Sequence, residues 1–181
     1  MENGSIISNE NIDKSVKHLS IIALFGWLSI LGFDFFLHAG LLATLYIKPN
    51  PFLLPPMEAF IRIPFGYLSI LLLTVILLWL MVRLEISGWR KGSIFGLKFG
   101  CLISGVSTLG LISISTADIV LLIGWFFGQT LELGIAGAIM GSGLAGKRLT
   151  MLLVIVLIFI LSSFMLTVIL QTLGLAPTVR I

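Results

Sequence analysis

The chain has 181 residues, of which 58% are hydrophobic and only 10% charged, and its mean hydropathy is +1.16; ordinary soluble domains are about 45–50% apolar and about 25% charged. No water-soluble fold of this size could cover so much apolar surface, and at about 20 residues per crossing the length holds four or five membrane helices and no separate catalytic domain. The net charge of +3 does not point to nucleic acid, because the basic residues sit at the ends of apolar runs rather than in a patch with interleaved aromatics.

Residues 1–18 are polar and mixed in charge, without the apolar core and small-residue cleavage site of a signal peptide. They read as an N-terminal tail ending in a short surface helix or none. A first span follows at about 20–47, an apolar run interrupted by Asp34 and His38. Four residues apart, these two share one face of a helix, where each would lie in hydrocarbon unless other helices cover it. Tyr46 and Lys48 at its far end read as an interface anchor.

Prolines at 49, 51, 55 and 56 forbid a regular helix directly after that span. Phe52, Leu53, Leu54, Met57, Phe60 and Ile61 are apolar all the same. The segment therefore reads as an interfacial loop followed by a short amphipathic turn over Pro56 to Ile63, lying on the bilayer or folding over the mouth of the bundle as a lid. The second span, 64–85, has no charge between Arg62 and Arg83 and reads as lipid-facing.

The third span, 93–115, carries small residues at Gly92, Gly96 and Gly100, continued by Ser104 and Thr108. Every fourth position being small predicts a groove that lets a neighbouring backbone approach closely. On that basis the third span is expected at the centre of the packing. Lys98 near its start reads as snorkelling to the inner interface. The lone cysteine, Cys101, excludes an intrachain disulfide and reads as a small buried apolar side chain.

The fourth span, 117–143, is the second polar helix. Gly124, Gly128, Glu132 and Ala136 lie on one face, so the carboxylate emerges from a stripe of small residues, with Gln129 close by. The fifth span, 149–174, has no ionisable residue, and residues 177–181 form a C-terminal tail. The fold expected is an all-α membrane protein, one bundle over 19–176, with spans 1, 3 and 4 as its core and spans 2 and 5 more exposed to lipid. With five crossings, eight of the lysines and arginines fall on one side and Lys48, Arg62 and Arg180 on the other. That asymmetry predicts a cell inner membrane protein with its N-terminus cytoplasmic and its C-terminus outside.

Asp34 and Glu132 fall near mid-membrane in antiparallel helices, close enough to share one interior layer. An ionisable group at that depth costs on the order of 2.5–3.5 kcal/mol, so each is expected to face protein or water. Three readings stay open. The cluster of Asp34, His38, Glu132 and Gln129 is a polar network, with hydroxyls of Ser104, Ser107 or Thr108, that fixes helix packing or subunit assembly. Alternatively, Asp34, His38 and Glu132 serve a proton- or ion-coupled transporter of a small solute. A metal or haem site would draw on the same three ligands, but there is no second well-placed histidine, His18 being too far away, and no paired cysteines, so no metal and no cofactor is assigned. No GxSxG, HExxH or phosphate-binding glycine loop occurs, which leans away from an enzyme. The partners that fit are the lipid bilayer and other membrane subunits or further copies of the chain.

Asp34, Phe35, His38, Ala39, Gly40, Leu41, Leu42 and Tyr46, then Gly124, Trp125, Phe126 and Gly128, then Ala136 and Gly137, resemble the pattern of a group of small uncharacterised bacterial multi-pass membrane proteins. In that group a four-helix bundle has an aspartate-aromatic pair, a histidine and a tyrosine in its first helix and a Gly-Trp-Phe-x-Gly stretch in a later one. The resemblance covers about 31–141 and implies a membrane bundle but no activity; the fifth span is an addition to the pattern.

Overall fold

The computed structural model describes residues 3–47 and 51–177, with side chains from residue 15 onward apart from that of residue 56. Lys48, Pro49 and Arg180 lie outside the described residues. The chain is an all-α bundle in which five helices are long and apolar enough to cross a membrane.

Helix α1 runs Asn3–Phe36 and passes into a single π-helical turn, Leu37–Leu41, then a short helix α2, Ala43–Ile47. The Leu42 amide bonds the carbonyl of Leu37 at 2.8 Å, a five-residue step that widens the helix at His38. The stretch read as a tail is helical from Asn3 and continuous with the first span. Helix α3 is Pro56–Arg83, with proline at its first position, where no amide donor is needed. Pro56 to Ile63 is therefore not a separate surface turn: it is the first two turns of α3, and only 51–55 is left as connection. Pro64, two turns inside the helix, cannot donate to the carbonyl one turn before it, yet the helix continues through it.

Helix α4 is Trp89–Ile114, α5 is Ile119–Leu144, with Asp118 Oδ1 accepting from the Val120 amide at 2.7 Å as its cap, and α6 is Leu149–Thr172. Helices α4 and α5 meet through their small residues. A methyl group placed at Gly92 would collide with the carbonyl of Gly137, and one at Gly96 with that of Leu133. Gly88, at φ 90, turns the chain into α4 and donates its amide to the Gly141 carbonyl at 2.8 Å. Ser104 and Thr130 hydroxyls meet at 3.0 Å on the same seam.

That seam is one-sided. In α4 only Gly92, Gly96, Gly100 and Ser104 are buried, against eleven residues of α5. The expectation that the third span is central is corrected: α1 and α5 are the centre, and α4 is a peripheral helix zipped to α5. Helix α6, expected to be lipid-exposed, packs along α1. Gly32 faces Ile160, Phe35 stacks on Phe164 with ring centroids 4.3 Å apart, and Gln171 donates to the Ala39 carbonyl at 3.2 Å. Cys101, expected to be buried, is exposed on the outer face of α4, as is Lys98. The core proper is Ile22, Ile30, Leu77, Met81, Leu133 and Met140, where α1, α3 and α5 converge.

Candidate functional site

Two local features bring the polar residues together. The π turn carries Leu37 into the space over Gly128 and Leu42 into that over Gly124; a methyl group at either glycine would strike these leucines. The small-residue face of α5 is thereby seated on α1, and Glu132, one turn beyond Gly128, is carried to Asp34. One ligating atom each from Asp34, His38 and Glu132 lies within 4.8 Å of the others. His38 Nε2 is 3.3 Å from Asp34 Oδ1.

The other imidazole nitrogen is held as well. His38 Nδ1 bonds the Tyr46 hydroxyl, which accepts a hydrogen bond from Trp125 Nε1 at 2.7 Å. The line of contacts runs Trp125, Tyr46, His38, Asp34, joining α5, α2, the π turn and α1. Tyr46, expected as an interface anchor, instead faces inward. Sequence spacing gave no sign of this role, because the approach of Tyr46 to His38 depends on the π turn between them.

Burial is graded across the cluster. Glu132 is 5% exposed and makes no hydrogen bond or ion pair among the described residues. Among the described residues no buried side-chain oxygen or nitrogen is both sealed and unpaired, so the Glu132 oxygens keep accessible surface. The side chains of Asp34 and His38 are 16% and 37% exposed. His38, Tyr46 and Trp125 form the floor of an open cavity of about 1250 Å³, walled by Phe52 and Pro55 of the connection and by Arg62 of α3. Phe52 packs on Trp125 with ring centroids 6.1 Å apart.

The hydroxyls expected in the network are elsewhere. Ser104 bonds Thr130 and the Gly100 carbonyl, and Ser107 bonds the Ile103 carbonyl on an exposed face. Gln129 is half-buried and is not among the three groups that converge. The arrangement can bind a cation or a small polar ligand. It offers two carboxylates and an oriented imidazole within 4.8 Å of one another, of which the imidazole lines a mostly apolar cavity, and charges in such surroundings attract more strongly than in water. Compared with protein-family models, with curated proteins and with solved structures, the chain matches none.

Proposed function

We propose that this integral membrane protein carries or senses a small solute or ion, with Asp34, His38 and Glu132 as its binding site and the cavity beneath residues 51–55 as the way in. The observation that carries the reading is the unpartnered Glu132 beside Asp34 and His38, the last of which lines the cavity. A network whose purpose was to hold helices together would pair that carboxylate. Packing is already supplied by Gly92, Gly96 and Gly100 on one side of α5 and by Gly124 and Gly128 on the other.

The same reading places the protein in the cell inner membrane, N-terminus cytoplasmic and C-terminus outside, on the eight-to-three division of basic residues. We take the resemblance of its helix pattern to small bacterial multi-pass membrane proteins as support for a bacterial bundle of this kind. Further copies of the chain or other membrane subunits are the partners it would meet in the bilayer.

Reconstitution in proteoliposomes with cation- and pH-sensitive dyes tests the proposal. Asp34→Asn and Glu132→Gln should each lower an ion- or proton-linked flux at least about tenfold while expression and folding are kept. If both changes are tolerated and a partner co-purifies with the variants, the cluster serves packing or assembly and the proposal fails.

A further inference from the structure

Resting on that reading, we infer that the ligand held by Asp34, His38 and Glu132 is a divalent first-row transition-metal ion of the zinc type, with one coordination position open to the cavity. Two carboxylate oxygens and an imidazole nitrogen are the donors such ions take, whereas magnesium and calcium prefer oxygen alone. Bonds of about 2.0–2.2 Å in a tetrahedral site separate the ligand atoms by roughly 3.4 Å. His38 Nε2 and Asp34 Oδ1 already stand 3.3 Å apart, and all three ligand atoms lie within 4.8 Å. Closing the set takes side-chain movement on the order of 1 Å.

Independent observations point the same way. Glu132 is almost wholly buried, unpaired, and aimed at the other two. A doubly charged cation balances both carboxylates at once in a site with little water to screen them. The surroundings of His38 are also those of a metal ligand: its Nδ1 is engaged by Tyr46, whose oxygen is in turn fixed by Trp125. With Nδ1–H donating to Tyr46, the lone pair of Nε2 faces Asp34 and is free for the ion, and the Tyr46 oxygen has two lone pairs for its two donors. Three protein ligands leave a fourth position for water or solute, and His38 lines the open cavity, which fits an exchangeable ion rather than a sealed structural one.

The test is equilibrium binding of Co2+ to the full, untagged chain in micelles, read by visible absorption, with Zn2+ as competitor. One Co2+ per chain, displaced by Zn2+, is expected. Glu132→Gln, Asp34→Asn and His38→Gln should each weaken binding at least about 100-fold, and Tyr46→Phe about 10-fold, as an orienting group one step removed from the ion does. Cys101→Ser and His18→Gln should leave it unchanged. Should His38→Gln fail to fold, Glu132→Gln decides, since that carboxylate has no bond to lose. The inference is overturned if the wild type binds neither metal, if binding survives Asp34→Asn with Glu132→Gln, or if Cys101→Ser abolishes it. A chain that sustains ion-linked flux yet binds neither Co2+ nor Zn2+ overturns the metal and keeps the site. One that binds Zn2+ at these residues but moves nothing keeps the metal and overturns transport.

Discussion

Tyr46 is the residue on which the geometry of the site turns. Its hydroxyl is the common partner of His38 Nδ1 and Trp125 Nε1, so Tyr46→Phe leaves two part-buried polar groups unsatisfied. Each such loss costs about 1–3 kcal/mol. Trp125→Phe removes one donor and leaves the Tyr46–His38 bond in place, so it should destabilise less, by about 1 kcal/mol. Denaturant unfolding in mixed micelles distinguishes the two; equal effects would mean that the tyrosine hydroxyl bonds only one of them. Neither substitution removes a carboxylate, so any change in ion binding reports orientation of the imidazole rather than charge.

At the level of helices, the seam between α4 and α5 makes the sharpest forecast. Gly96→Ala and Gly137→Ala put a methyl group against the carbonyls of Leu133 and Gly92, and forcing the two backbones apart should cost about 1–3 kcal/mol each. Gly110, in the same helix as Gly96, faces open space; Gly110→Ala should be neutral or stabilise by up to about 1 kcal/mol through helix propensity. A Gly96→Ala variant as stable as the wild type would show that the helices do not touch at this seam. The four-residue period of glycines made the groove legible in the sequence, but not that α4 packs almost wholly against α5, with only slight contact to α3. Its other faces carry Ile94, Leu102, Val106 and Leu109, exposed on the bundle surface. In hydrocarbon an outward leucine reads like an inward one, so hydropathy cannot separate central from peripheral helices. Asp34 and Glu132 could be placed at one depth because rise per residue is fixed. The inward turn of Tyr46 could not, because it follows from a π turn that no residue type announces.

For the whole molecule, the proposed topology of five crossings puts the two ends of the chain on opposite faces of the bilayer. In a Cys101→Ser background, single cysteines at Leu54 and Thr116, both exposed, should react with an impermeant maleimide added to intact cells. Cysteines at Ser87 and Ala145, exposed on the opposite side, should react only after lysis. The reverse pattern would invert the orientation drawn from the basic residues, and a mixed one would break the crossing count. The widened turn at Leu37–Leu41 reaches beyond its own five residues. Closing that turn into an ordinary helix with no residue removed would swing everything downstream by about 100°. Tyr46 would then leave His38, and the proline-bearing roof would lose its alignment with the floor beneath it. The wider turn, by taking up one surplus amino acid, thus sets the phase between the two.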